Sequence, residues 1–252
     1  MIRVGVVGAT GRMGATVCDA VAAAGDMELV AVVDTAGGGR TSHGLVVATE
    51  LKALADAKCD VVVDFTVAEA ARTTLPWLAL HGIHAVVGTT GFSDDDMATF
   101  TSAFSRSNCL IAANFAIGAV LMMKFAEQAA PYFETAEIIE FHHNAKADAP
   151  SGTAMATARR MAAASDSWAP DPTKHEVVPG ARGGSGPGGI NVHAVRMVGM
   201  TASQEVILGT AGQTLVIRHD SNDRVSFMPG VLLACRHVAS RPGVTLGIDD
   251  LL

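Results

Sequence analysis

The opening of the chain does most to limit the folds open to it. Ile2–Val7 is a short, nearly continuous apolar run, the pattern of a parallel strand buried on both faces. Gly8-Ala9-Thr10-Gly11-Arg12-Met13-Gly14 follows at once, and then a helix-forming segment with Val17, Ala20 and Val21 on one face. Strand, glycine turn and helix in this order make the first unit of a dinucleotide-binding fold. Glycine lets the backbone approach a diphosphate, and the helix N-terminus supplies N–H donors and positive potential. The spacing is Gly-x-x-Gly-x-x-Gly rather than the commoner Gly-x-Gly-x-x-Gly, so a purely structural turn competes with this reading. A second landmark favours the dinucleotide. The strand Leu29–Val33 ends in Asp34, 26 positions after Gly8. An acid there accepts hydrogen bonds from the adenosine ribose hydroxyls, which favours NAD, and repels a 2′-phosphate. Arg12 and Arg40 lie near enough in sequence to compensate, which keeps NADP open.

Composition narrows the class. A length of 252 residues suits one large or two modest domains. The 49% hydrophobic and 17% charged content describes a globular chain with a core. With 26 glycines, 5% aromatics and a net charge of -7, it favours an α/β enzyme over a nucleic-acid binder. No apolar run reaches the ~18–20 residues of a membrane span. The first residues enter a strand directly, without a signal-peptide pattern. Cys18, Cys59, Cys109 and Cys235 are widely spaced within apolar segments, as expected of free core thiols in a cytoplasmic protein.

Further strand–helix alternation continues to about residue 115. Asp60–Phe65 reads as a buried strand and Val67–Leu80 as its helix, with Pro76 marking a kink or break. His84–Val87 is a fourth strand, ending in Gly88-Thr89-Thr90-Gly91, where small residues and hydroxyls allow a nicotinamide ribose to come close or simply make a turn. Asp94–Arg106 is a helix, and Cys109–Ala113 a fifth strand running into Asn114-Phe115. Ala116–Ala130 is an amphipathic helix whose Met122 and Met123 suit core filling. Past Asp166–Pro172, a polar loop, strands crowd at Val192–Val198, Gln204–Leu208 and Thr214–Arg218. Their alternation suggests a mixed or antiparallel sheet with one solvated or interface face. Gly180–Gly189 is glycine-rich enough to read as a mobile loop, with a ligand lid as the alternative. Asp223–Ala239 reads as a helix that packs back onto the first domain. The expected domains are 1–113 with 219–252, and 114–218.

Chemistry concentrates in Glu137–Thr153. Ile138, Ile139 and Phe141 are strand formers, and Pro150-Ser151-Gly152-Thr153 leads into the helix-forming run Ala154–Ala164. Between them stand His142, His143, Lys146 and Asp148. Titratable groups beside a helix N-terminus suit binding and proton transfer on an acidic small molecule. Adjacent histidines on a strand point to opposite faces, so one of them can be merely packed. Metal binding by His142, His143 and His193 has no supporting carboxylate or cysteine spacing, and no metal is expected.

Taken together, Val7–Gly14, Asp64-Phe65-Thr66, Gly88–Gly91, Asn114-Phe115 and above all Glu140–Thr153 resemble the bacterial dihydrodipicolinate reductases of lysine and diaminopimelate synthesis. The resemblance spans nearly the whole chain and is nearest the actinobacterial branch, from Asn114–Leu121 and Gly180–Gly183. It implies a Rossmann-type domain for NADH or NADPH plus an α+β mixed-sheet domain that builds a homotetramer. It implies His142 as proton donor to a cyclic dicarboxylate and Lys146 as second catalytic residue, with His143, Gly152 and Thr153 holding substrate carboxylates. It places Gly8, Ala9, Thr10, Gly11, Arg12, Met13, Asp34, Gly88, Thr89, Thr90, Ala112, Ala113, Asn114, Phe115 and Arg224 along the cofactor. The reaction centre is expected to be complete only when the two domains close. Many relatives follow the acid of the second strand with arginine; here Thr35 follows Asp34, which points to dual cofactor use or an NADH bias. Asp148 is expected to position Lys146 or cap the turn. Two rivals remain: another nicotinamide-dependent dehydrogenase on a similar scaffold, and a non-catalytic NAD(H)-sensing protein.

Overall fold

The computed structural model describes residues 1–252. The chain divides into two compact units, Met1–Ala116 with Phe227–Leu252, and Ile117–Ser226. Both crossings lie later than the 113/114 and 218/219 boundaries read from the sequence. The second does so because the last strand of the inner unit stays paired as far as Ser221.

The first unit runs β1 (Ile2–Val7), α1 (Arg12–Ala23), β2 (Met27–Val33), β3 (Thr41–Ser42), β4 (Leu45–Val46), α2 (Lys52–Asp56), β5 (Val61–Asp64), α3 (Ala68–Leu80), β6 (His84–Val87), α4 (Asp94–Ala103) and β7 (Cys109–Ile111). The second holds α5 (Ile117–Ala129), β8 (Thr135–His142), α6 (Gly152–Ala164), β9 (Gly184–Ser185), β10 (Asn191–Arg196), β11 (Ala202–Thr210) and β12 (Gln213–Ser221). The chain then returns to the first unit with α7 (Met228–His237) and β13 (Val244–Leu246).

In the first unit six strands lie in the order β13-β7-β6-β5-β1-β2, every pair parallel. Val4, Val6, Val61, Val62, Val63, Ala85, Val86 and Val87 are all but inaccessible, as continuous apolar strands covered on both faces must be. From β1 the chain passes to β2 on one side and then to β5 on the other. That reversal is the switch point at which open parallel sheets take ligands beyond the carboxyl ends of their strands. Pro76 does not break α3, which continues from Ala68 to Leu80 around it. A proline there removes one N–H, and burial of Ala71, Leu75, Leu78 and Ala79 against the sheet offsets that loss. All four cysteines are buried free thiols.

The second unit has a mixed sheet in the order β12-β11-β8-β10-β9. β8 and β10 are parallel, and β11 runs antiparallel to both of its neighbours. Even-numbered β8 residues Ile138 and Glu140 are fully buried, whereas Ile139 and Phe141 on the opposite face are only partly so. This is the period-two alternation of a sheet with one covered face. Met122 and Met123 of α5 are buried. Part of the glycine-rich 180–189 segment takes regular structure. Gly184 and Ser185 pair with Val192 and Asn191, and Pro187–Gly189 makes a 3-10 turn.

Candidate active site

Apart from Arg224, the residues expected along a cofactor lie at the carboxyl edge of the parallel sheet, at the ends of β1, β2, β6 and β7. Gly8 ends β1 with φ 78°, a left-handed conformation natural only to glycine, and its N–H reaches the Val33 carbonyl at 2.9 Å. Gly14 of α1 lies so close to this turn that an added Cβ would stand 2.0 Å from the Gly8 carbonyl oxygen. α1 begins with no side-chain cap and no acidic residue in its first turn. Its first N–H groups are therefore left to an external acceptor, as a diphosphate site requires.

Asp34, immediately beyond β2, is tied to the same turn. Its Oδ2 accepts the Thr10 N–H at 2.9 Å and the Thr10 hydroxyl at 2.6 Å, and its Oδ1 accepts the Ala36 N–H at 2.9 Å. Partial burial would raise the Asp34 carboxyl, but these donors outweigh it and hold the group below the usual carboxylate range. Across the switch point, Gly88 faces the Phe65 ring so closely that a Cβ would lie 2.0 Å from it. Phe65 packs in turn on Phe115, with centroids 5.8 Å apart. Thr89 is buried and Thr90 exposed; Ala112 is buried, Ala113 exposed and Asn114 half-buried, its Oδ1 accepting the Ala116 N–H. Gly turn, open helix start, ribose acceptor and a small-residue floor at Gly88 form a donor set and clearance that fit a nicotinamide dinucleotide.

Beneath that edge lies a group the sequence reading left without a role. Asp64, the last residue of β5, is fully buried. Its Oδ1 accepts the Thr66 N–H at 2.9 Å, the Thr66 hydroxyl at 2.7 Å and the Thr89 hydroxyl at 3.0 Å, while Oδ2 has no partner. Burial pushes this carboxyl above its ordinary range against those three donors.

The second cluster is built within the other unit. Glu140 and His142, two apart on β8, share a face. Glu140 Oε2 stands 2.6 Å from His142 Nδ1. The buried Glu140 carboxylate is also gripped by Arg196 of β10, whose two terminal nitrogens reach Oε2 and Oε1 at 2.7 and 2.8 Å. Its Oε1 accepts the Ser151 N–H at 3.0 Å. Arg196 further donates to the Asp148 carbonyl at 2.7 Å. Burial would raise Glu140, yet the Arg196 and His142 bonds bring it below the usual range. His142 lies below an ordinary imidazole because burial disfavours its charge more than Glu140 restores it.

Beyond His142 the chain turns sharply, with the Lys146 N–H on the His143 carbonyl at 3.1 Å. His143 is exposed, and Lys146 is mostly covered, its ammonium on Asp148 at 2.7 and 2.9 Å. Ser151 caps α6 by accepting the Ala154 N–H at 3.2 Å, an interaction worth about 1 kcal/mol. Gly152 and Thr153 are the first residues of α6, and no acid lies in its first turn. The turn thus presents an imidazole, an ammonium and a helix N-terminus together. Arg224 is exposed at the start of a short 3-10 turn, Arg224–Phe227. His193 is separately engaged with Glu137 at 2.7 Å. Glu140 and Arg196 are the site residues that sequence reading missed; they meet only through strand pairing, 56 positions apart.

A parallel dinucleotide-binding sheet joined to a mixed-sheet unit bearing this imidazole–ammonium turn defines a nicotinamide-dependent oxidoreductase. Residues 2–115 match the family described as dihydrodipicolinate reductase, N-terminus, and residues 118–252 its C-terminus. The chain is 50% identical over 255 residues to the 4-hydroxy-tetrahydrodipicolinate reductase of Mycobacterium ulcerans (strain Agy99), covering 100% of this chain and 99% of that one. It is 49% identical to the protein of the same name from Cutibacterium acnes, with the same coverage. The dipicolinate-bound dihydrodipicolinate reductase from Paenisporosarcina sp. TG-14 superposes with a TM-score of 0.90 at 38% identity, covering 100% of both chains. The chain belongs to the dihydrodipicolinate reductase family, and it uses NADH or NADPH.

Proposed function

We infer that this chain reduces 4-hydroxy-tetrahydrodipicolinate to tetrahydrodipicolinate, in lysine and diaminopimelate biosynthesis. The observation that carries the residue assignment is the joint placement of His142, Lys146 and the α6 N-terminus on one turn. The relative from Paenisporosarcina is described as dipicolinate bound, and that ligand is a planar cyclic dicarboxylate of the kind this turn suits.

Bound nicotinamide supplies the hydride. Loss of the 4-hydroxyl as water leaves a ring with an unsaturated bond conjugated to the imine. The protein has to hold this doubly charged ring and deliver one proton to the carbon beside the one that takes the hydride. His142 is the proton donor, a task worth roughly 10²–10⁴-fold in rate for a well-placed acid. Lys146 places a positive charge on one carboxylate, and the Gly152 and Thr153 end of α6, with His143, receives the other. Gly8–Met13 and Asp34 bind the diphosphate and adenosine ribose, while Gly88–Thr90, Ala112–Phe115 and Arg224 serve the nicotinamide end. Because Thr35 follows Asp34, NADH is expected to serve at least as well as NADPH. The enzyme is assigned to the cytoplasm, where its buried thiols stay reduced; no helix is long and apolar enough to cross a membrane.

A homotetramer built through the mixed sheet is part of this reading. Leu215 and Val216 of edge strand β12 are exposed, and Ile139 and Phe141 are incompletely covered. An open apolar strand of this length is normally paired or covered. Sedimentation of the purified protein as a monomer overturns this part.

The deciding assay couples enzymatically generated 4-hydroxy-tetrahydrodipicolinate to NADH or NADPH oxidation by the wild type and His142→Ala. Absence of oxidation by the wild type removes the assignment of the reaction. Undiminished activity in His142→Ala removes only His142 as proton donor.

A further inference from the structure

We propose that Glu140, clamped by Arg196, is a positioning residue that keeps the His142 proton on Nδ1 and leaves Nε2 as the atom that protonates the substrate. This rests on His142 being the proton donor. The Arg196 guanidinium engages both Glu140 oxygens, at 2.7 and 2.8 Å. Such a fork holds the carboxylate ionised, and an ionised carboxylate is acceptor only. The nitrogen 2.6 Å from Oε2 must therefore be a donor, so His142 Nδ1 carries hydrogen in both of its charge states. Nε2 has no protein partner. It bears a transferable proton when the ring is charged, and a bare lone pair when the ring is neutral.

The proton balance follows. The imidazolium gives up its Nε2 proton as the new C–H bond forms on the substrate. What remains is a neutral ring whose Nδ1–H still donates to Glu140, and solvent returns a proton to Nε2 for the next turnover. Glu140 stays ionised throughout, and its negative charge favours the imidazolium. The charged groups facing His142 are Glu140 from its own strand, Arg196 from β10 and Lys146 from the following turn; Lys146 and Arg196 oppose protonation and Glu140 promotes it. Removing Glu140 therefore leaves His142 between burial and two cations.

The same pair fixes more than the imidazole. Glu140 Oε1 accepts the Ser151 N–H, and Arg196 donates to the Asp148 carbonyl. Asp148 and Ser151, the residues that follow Lys146 on its turn, are thus fastened to one ion pair, and Ser151 is also the residue that caps α6. The carboxylate governs the proton, and the guanidinium governs the geometry of the carboxylate-binding turn.

Nitrogen-15 NMR of the ligand-free protein tests the first half without any assay. Neutral His142 is expected as the Nδ1–H tautomer in the wild type, and as a mixture shifted toward Nε2–H in Glu140→Gln. A wild-type neutral ring with its proton on Nε2 overturns the proposal whatever reaction the enzyme catalyses. In turnover, Glu140→Gln is expected to lower kcat about 10–100-fold, the range seen when the carboxylate behind a functional imidazole is removed. His142 acts while protonated, so activity falls as pH rises through its pKa; in Glu140→Gln that fall moves to lower pH. A wild-type pH profile in this variant refutes a role beyond support of the fold. Arg196→Lys keeps the charge but loses the fork. It is expected to retain the Nδ1–H tautomer while raising the KM for substrate more than it lowers kcat, and it decides the matter should Glu140→Gln fail to fold. If the wild type does not reduce the substrate at all, the reaction assignment fails, and the tautomer result still stands on its own.

Discussion

Asp34 holds Thr10 by two bonds to a single oxygen, the Thr10 N–H at 2.9 Å and its hydroxyl at 2.6 Å. The acid just beyond β2 therefore shapes the glycine turn, and the proposed function adds a ribose to its partners. Asp34→Ala removes both effects, whereas Thr10→Ala removes only the hydroxyl bond. We expect Asp34→Ala to raise the KM for NADH about tenfold or more, equivalent to about 1.4 kcal/mol of binding. NADPH suffers less, because the variant no longer repels its phosphate. Thr10→Ala should fall between wild type and Asp34→Ala for NADH. Equal losses for both cofactors in Asp34→Ala would contradict the ribose role and leave only the turn-shaping one.

Two glycines of that turn differ sharply in the space around them. A Cβ on Gly11 meets the Gly8 carbonyl oxygen at 3.2 Å, whereas one on Gly14 meets it at 2.0 Å. The first contact needs a few tenths of an ångström of give; the second cannot form without moving the β1–α1 backbone. Gly14→Ala is expected to destabilise by about 1–3 kcal/mol or more, and Gly11→Ala by clearly less. Urea denaturation of both variants checks the order, and the reverse order would mean that the turn is not packed as described.

Lys146 is tied to Asp148 at 2.7 and 2.9 Å. Asp148 is two-thirds exposed, with 66% of its side-chain surface accessible. A substrate carboxylate must share or displace this partner. Lys146→Met should raise the KM for substrate more than about tenfold, as loss of a charge-assisted bond implies. Asp148→Asn frees the ammonium, and its KM should be unchanged or lower. A large rise in KM for Asp148→Asn instead would make the carboxylate a positioning element for Lys146.

What the sequence revealed depended on how local the cause was. Val4–Val7 and Val61–Val63 are read directly, since strands buried on both faces must be apolar throughout. His142 and Lys146 are equally visible because their chemistry is compressed into one short stretch. β13 escaped notice: Val244–Leu246, between Gly243 and Gly247, is too short for periodicity and takes its form from pairing with β7. The 180–189 segment looked mobile because glycine loses most entropy on ordering. Its pairing partners lie elsewhere in the chain, with β10 beside Gly184 and the Trp168 ring near Gly188. Glu140 sits among the strand formers Ile138, Ile139 and Phe141, where nothing local gives it a role. Its meaning comes from Arg196, which only the β8–β10 register delivers.

Asp64 offers a test of how the buried carboxyl beneath the cofactor edge affects stability. Burial raises its folded-state pKa above the ordinary value of an exposed aspartate. Linkage then fixes the sign: the folded state binds the proton more tightly, so the contribution of Asp64 is fully favourable below the unfolded pKa and is lost as pH rises through the folded one. Above that range the protein carries a buried charge with one oxygen unpartnered. Asp64→Asn keeps an acceptor for Thr66 and Thr89 and cannot ionise. Relative to wild type, its unfolding free energy should therefore improve as pH rises from the unfolded pKa of an aspartate through the raised folded one, whatever its offset at the acid end. Parallel urea titrations at the two ends measure this directly. A difference that is flat in pH, or that turns against the variant as pH rises, would show that Asp64 is stabilised as an anion by its three donors. In that event Thr66 and Thr89 hold a charge beneath the cofactor edge rather than a neutral acid.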